Sequence, residues 1–367
     1  MTQGLARLAK LIAQRFEALG GQVDLVEAHD IYRMADTPEQ IGGMVRATFT
    51  GTGTKKILLI CHMDTVYSRG MLAEQPFRID GNRVYGLGIA NDKQGIAVIL
   101  HALAMLRAMD FRQYGTLTVL INGDELISSP GSRSLVTQLG AEHDATFVVT
   151  FTLAESDKLS LTTSGIASIM LTVEGRASHA GVAPEKGINA LYELAHQVLQ
   201  TSDLSDPASG IKVNWTMAEA GLARNTIPSN AQAVADVRVR RASDFDAIEK
   251  KLGERIKKQL LPDAAVRMIF ERRRPPLEVT PASRALAAHS QQIYRELGKE
   301  LFVDAETESG GNDAAFAALR SKAPVISRMG LQSGNVFKNE YVLMDSIEPR
   351  LYLLTRMLMN VGRGDAC

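Results

Sequence analysis

Apolar side chains recur along the chain with two different periods. Leu5, Leu8, Ile12, Phe16 and Leu19 fall at helical spacing and stop at Gly20-Gly21, which predicts an amphipathic first helix over 5–19. Short β-branched or aliphatic runs follow at 21–26, 44–50, 56–61, 116–122 and 145–151, separated by turn residues and by a helical stretch over 94–109. Strands alternating with helices predict an α/β sheet. From Ser164 the order changes to strand (166–173), helix (189–199), two strands (212–218 and 231–239), helix (245–260) and strand (266–270), which reads as a compact antiparallel sheet with two helices. The run Arg272-Arg273-Arg274-Pro275-Pro276 continues neither period and marks a boundary. Beyond it, helices over 281–297, 313–319 and 347–361 and a strand over 324–327 resume the α/β pattern. The expected fold class is α/β: a discontinuous domain (1–163 and 275–367) with a mixed sheet flanked by helices, and an inserted α+β domain (164–274).

Composition narrows the function. With 41 Lys+Arg against 41 Asp+Glu in 367 residues, the chain lacks the basic surplus needed to grip nucleic acid or an anionic membrane. The longest apolar stretch, near 96–105, is interrupted by His101 and falls far short of the roughly 20 residues a membrane span needs. Residues 1–20 show no secretion-signal pattern, and two cysteines, Cys61 and Cys367, make neither a disulfide framework nor a thiolate zinc site. A cytoplasmic location is the expectation.

Polar residues collect at strand ends, where open α/β sheets bind ligands. Cys61-His62-Met63-Asp64 follows the run 57–60. Gly86-Leu87-Gly88-Ile89-Ala90-Asn91-Asp92-Lys93-Gln94-Gly95 enters a helix, Asn122-Gly123-Asp124-Glu125-Leu126 ends another strand, and Phe151-Thr152 ends the next. Taken singly, each has a plain structural reading: a capping aspartate beside a packed histidine, or glycines in a tight turn. Their conjunction at these intervals is far more specific. Cys61 should point away from His62 by strand alternation and pack in the core.

The conjunction resembles the zinc-peptidase family of glutamate carboxypeptidase, aminoacylase, acetylornithine deacetylase and succinyl-diaminopimelate desuccinylase, most of all its glutamate-carboxypeptidase branch. The resemblance covers nearly the whole chain and includes Ser178-His179-Ala180-Gly181, Arg224-Asn225-Thr226-Ile227-Pro228, Ala235-Asp236-Val237-Arg238 and Gly310-Gly311-Asn312-Asp313-Ala314-Ala315. It implies a catalytic domain with an inserted lid through which the protein forms a homodimer, and an element preceding the equivalent of residue 1. It also implies two zinc ions about 3.5–4 Å apart. His62 matches the first ligand, Asp92 the bridge and Glu125 the general base; Asp64 and Asp124 are supporting residues. His179 matches the lid histidine that polarises the scissile carbonyl across the dimer. Arg238 and Asn225 match positions that help hold a substrate carboxylate or oxyanion, and Gly310, Gly311 and Asn312, where the family often has Thr or Ser at the last, would bring backbone N–H groups to a substrate carboxylate at a helix N-terminus.

Three ligand positions depart from the family. Leu126 stands at the second glutamate, Thr152 at the strand-end glutamate and Asn335 at the C-terminal histidine, and none is a good zinc ligand. No resident cofactor is therefore expected, with a single weakly held zinc or manganese on His62 and Asp92, assisted by Asp64 or Glu155, as the residual alternative. Asn335 and Thr152 then become candidate substrate contacts. Without cations, crowded carboxylates should have raised pKa values. The expected function is metal-independent Glu125 acid/base chemistry, supported by His62, Asp92 and His179, on an acyl or amide group of a small amino-acid-derived carboxylate: acyl transfer, cyclisation, elimination or isomerisation. The alternatives are an amidohydrolase with a reduced metal site and a non-catalytic protein that binds its ligand in the old cleft.

Overall fold

Lys56–His62 is the strand around which the first part of the molecule is built, and all of it but Lys56 is buried. Its alternating side chains serve two cores. Ile57, Leu59 and Cys61 face a large cluster with Ile99 and Leu103 of the Gln94–Ala108 helix and Leu354, Met357 and Leu358 of the Ile347–Arg363 helix. Leu58 and Ile60 face a second cluster with Val136 and Leu139 of the Arg133–Glu142 helix and with Ala314–Ala318. A strand covered on both faces reads as a continuous apolar run, and this is why 56–61 shows no alternation in sequence.

The computed structural model describes residues 2–306, 310–336 and 338–366, so Cys367 lies outside the described residues. The main sheet has the strand order Gln22–Val26, Met44–Thr50, Thr116–Asn122, Lys56–His62, Ala145–Val148, Val325–Ile326. The first two pairings are antiparallel and the rest parallel, which gives the mixed sheet expected. Parallel register sets His62 opposite Asn122, so two chemistry-bearing loops leave the sheet side by side. Gly95 allows its helix to approach closely: a Cβ there would lie 2.0 Å from the Val149 carbonyl oxygen.

The chain divides into two compact units, Met1–Thr163 with Leu277–Glu308 and Asn312–Cys367, and Ser164–Pro276 with Ser309–Gly311. The second unit is an antiparallel sheet, Lys212–Ala220, Asn230–Val239, Gly165–Glu174, Ala265–Arg274, with helices Ala190–Gln200 and Ala242–Arg255. Its last strand corrects the sequence reading, because it runs through the arginines to Arg274 instead of ending at residue 270. Neighbouring acids compensate the charge: Arg272 pairs with Asp246 and Glu249 at 2.6 and 2.8 Å, and Arg273 with Glu271 at 2.9 Å.

A second correction concerns Thr152. The main-sheet strand ends at Val148, and Thr152–Leu153 belongs to a separate five-stranded sheet with Gln332–Gly334, Tyr341–Leu343, Arg83–Tyr85 and Arg78–Asp80. Such two- and three-residue strands are too short to show a period.

Candidate active site

His62 closes the central strand, buried, with its ring held from both sides. Nδ1 lies 3.0 Å from Asp64 Oδ1, and Nε2 lies 2.9 Å from Asn91 Oδ1 and 3.8 Å from Glu125 Oε2. Both nitrogens face acceptors, an arrangement the doubly protonated imidazolium satisfies. Burial works against that charge, but the carboxylates of Asp64, Glu125 and Asp92 outweigh it and hold the His62 pKa well above the ordinary value. Burial also works against the Asp64 carboxylate, yet His62 and the Leu126 N–H, donated at 2.8 Å, keep its pKa below the usual range. Glu125 starts the short 3-10 turn Glu125–Ile127 just past the neighbouring parallel strand, and this connection brings it to the imidazole.

Asp92 is held separately. Gln94 Nε2 donates to Oδ1 at 2.8 Å and the Cys61 thiol donates to Oδ2 at 3.1 Å. Cys61 does sit on the core face as strand alternation requires, but it does more than pack there, since its sulfur reaches the carboxylate. Burial pushes the Asp92 carboxyl up to about 7 and, together with Asp92 itself, keeps Cys61 a thiol. The turn before Asp92 is pinned by Glu340, which accepts from the N–H groups of Ala90 and Asn91 at 3.0 and 3.4 Å and from the Tyr67 hydroxyl at 2.5 Å. Sequence reasoning missed Asn91, Gln94, Tyr67 and Glu340 as site residues. Glu340-Tyr341-Val342 is visible in the sequence only as a landmark, and the two amides only as turn residues.

Asp124 points into its own loop. It accepts from the N–H groups of Gly131 and Ser132 at 2.7 and 3.0 Å and from the Ser132 hydroxyl at 2.6 Å, and burial raises its pKa to about 6. Asp313 ties the same loop to Asn122 and Ser129, at 2.6 and 2.5 Å. Asn312 is engaged locally: Oδ1 accepts from Ala314 N–H at 3.0 Å and Nδ2 donates to Ser327 Oγ at 2.7 Å.

The three departing positions do not supply metal ligands. Leu126 contributes only its backbone N–H to Asp64. Thr152 is buried with its hydroxyl donated to the Ser156 carbonyl at 3.2 Å. Asn335 is exposed in a left-handed conformation, φ 53°. Among the described residues no three His, Cys, Asp or Glu side chains are grouped as a metal ion requires. The donor set does not fit a dinuclear zinc centre.

The remaining candidates belong to the second unit and are described within it. His179 is exposed, and its Nδ1 accepts from the N–H groups of Gly181 and Val182, both at 3.1 Å, which places the proton of the neutral ring on Nε2. Asn225 lies on the neighbouring segment, joined through its carbonyl to Ala180 N–H at 2.9 Å. The Arg238 guanidinium is forked onto Asp236, Nε at 2.8 Å and a terminal nitrogen at 3.0 Å, which fixes its plane and uses two of its five N–H donors. The Gly310 carbonyl accepts from Ser164 N–H at 2.9 Å, and Gly311 has no room for a Cβ, which would meet Ile166 at 2.7 Å.

The chain is similar to known proteins over most of its length. The sequence model of the Peptidase family M20/M25/M40 matches residues 58–360. The chain is 44% identical over 328 residues to carboxypeptidase G2 of Pseudomonas sp. (strain RS-16), covering 88% of this chain and 78% of the relative. Its fold is similar to that of a tripeptidase from Staphylococcus aureus, with TM-score 0.80 at 19% identity, covering 96% of this chain and 92% of that one. It is also similar to that of a Bacillus subtilis protein described as a dinuclear metal binding peptidase, with TM-score 0.67 at 15% identity, covering 97% and 92%. Among the described residues no helix is long and apolar enough to cross a membrane.

Proposed function

Because the chain belongs to the peptidase family M20/M25/M40, we propose that it is an enzyme of that ancestry in which Glu125 moves protons without a dinuclear zinc centre. The carrying observation is the arrangement Asp64–His62···Glu125, which is intact while the residues that would complete a metal site are Leu126, Thr152 and Asn335. A pure binding protein has no evident use for a buried carboxylate–imidazole pair beside a second carboxylate. In this reading Asp64 keeps His62 protonated, and the imidazolium supplies the positive charge beside Glu125. Glu125 then takes a proton from the attacking group and returns one to the leaving group. Unassisted hydrolysis of an ordinary amide suffers most from the lack of a Lewis acid, so the reaction is acyl transfer, cyclisation, elimination or isomerisation on a small amino-acid-derived carboxylate.

The second unit supplies the lid, with His179 as Nε2–H donor and Asn225 beside it, and it forms the homodimer. The Lys212–Ala220 strand is at a sheet edge, and Met217 within it and Leu222 just beyond its end are exposed. The identity to carboxypeptidase G2 favours a second reading, an amidohydrolase with a rearranged metal site. A panel of N-acyl amino acids and their activated acyl esters, assayed with and without EDTA, separates the two. Turnover that survives EDTA and falls about 10²–10⁴-fold in Glu125→Gln is the expected result. Turnover that requires added zinc, or that is unchanged in Glu125→Gln, contradicts the proposal.

A further inference from the structure

The Asp92 carboxylate has both oxygens held by neutral donors, and the donor on Oδ1 cannot easily withdraw. Gln94 is buried, at 3% exposure, with its amide fixed at both ends: Nε2 donates to Asp92 Oδ1 at 2.8 Å and Oε1 accepts the Leu331 N–H at 2.7 Å. The space around it is closed. A Cβ at Gly330 would lie 2.6 Å from both amide heavy atoms of Gln94, so the backbone of 330–331 is fitted around this amide. On the other side, the Cys61 sulfur lies 3.1 Å from Oδ2 and makes the second hydrogen bond to the carboxylate. A divalent cation needs carboxylate lone pairs turned toward it and a ligand free to adjust at about 2.0–2.2 Å. An N–H on one oxygen and an S–H on the other each take one lone pair and hold the plane of the carboxylate in place, against the turning that a bridging ligand needs.

We infer that Gln94 is a positioning residue that fixes Asp92 as a hydrogen-bonded acceptor and thereby excludes a bridging metal, so that restoring the three departed ligands alone does not rebuild a dinuclear centre. The inference rests on the metal-independent reading above and goes beyond it. Metal binding was lost in two ways, by removal of donors at Leu126, Thr152 and Asn335, and by capture of the remaining bridge. Outer partners of this kind shift metal affinity by 10–100-fold even where they only orient a ligand.

The test compares the wild-type chain, the triple variant Leu126→Glu/Thr152→Glu/Asn335→His, and the triple variant with Gln94→Ala added. Zinc affinity is read by competition with a chromophoric chelator, and stoichiometry by elemental analysis. The expected result is that the triple variant takes up a second zinc poorly, and that adding Gln94→Ala tightens it about tenfold or more. Gln94→Met, which fills the same space without an amide, serves as the second variant if the alanine variant fails to fold. Equal zinc affinity and stoichiometry with Gln94 present or replaced would overturn the inference. A wild-type chain that already holds two zinc ions tightly would instead overturn the metal-independent reading, and the two failures are distinct.

Discussion

Replacing Asp64 by Asn tests whether the site carries its own buried cation. The substitution keeps an oxygen for the Leu126 N–H and removes the charge 3.0 Å from His62 Nδ1. Both side chains are buried, at 2% and 7% exposure, so solvent screens the pair little. Removing one partner of a buried ion pair costs about 3–5 kcal/mol. For a unit of this size that is a fall in Tm on the order of 10 °C. The pH dependence distinguishes lost charge from lost packing. His62 is raised above its ordinary 6.5 and Asp64 lowered below 3.8, so the pair contributes fully between those two values, where both groups are ionised even in the unfolded chain. As pH rises beyond 6.5 and through the higher folded value, His62 deprotonates and that contribution is lost. Thermal melts of wild type and Asp64→Asn should therefore differ most near about pH 5.5 and converge as the pH rises beyond 6.5 and through the raised folded value of His62. The imidazole nitrogen shifts of wild-type His62 should remain those of the charged ring at neutral pH. A gap that is constant across this range, or a His62 that titrates near its ordinary value, would mean that Asp64 holds no buried cation on the ring.

Three other substitutions probe the frame. Asp313→Ala removes the bonds at 2.6 and 2.5 Å that anchor Asn122 and Ser129, and should cost about 2–4 kcal/mol in denaturant melts while accelerating amide exchange in the 124–131 loop. Gly95→Ala sets a Cβ 2.0 Å from the Val149 oxygen, and should lower stability by about 3 kcal/mol or more by pushing the helix off the sheet. Met217→Asp with Leu222→Asp, both at exposed positions near the edge strand, should shift sedimentation from dimer to monomer and leave the melting of the isolated chain within about 0.5 kcal/mol.

Most of the architecture is legible in the sequence where a period persists for five or more residues. The 5–19 face and the apolar run 56–61 both correspond to observed elements. The Arg133–Glu142 helix escapes such a reading, because Val136, Thr137, Leu139 and Gly140 form a thin buried stripe among polar residues. The arginine run misleads because a strand's charge balance depends on helix residues Asp246 and Glu249, which are distant in sequence. At the site, the type and order of His62, Asp64, Asp92 and Glu125 are legible. What Asp92 touches is not. Gln94 and Cys61 flank it in space, and neither residue type announces such a role. Glu340 is separated from the Ala90–Asn91 turn by most of the chain, so only the folded structure reveals that it pins that turn.

The proposed chemistry needs the proton-moving groups Glu125, His62 and Asp64 and no resident dinuclear zinc. Elemental analysis of the purified protein, prepared in the presence of zinc and manganese and without chelators, tests it most directly. Far less than about one tightly held ion per chain is the expected result; about two per chain, removable only by a strong chelator, would mean that the chain is a dinuclear zinc enzyme.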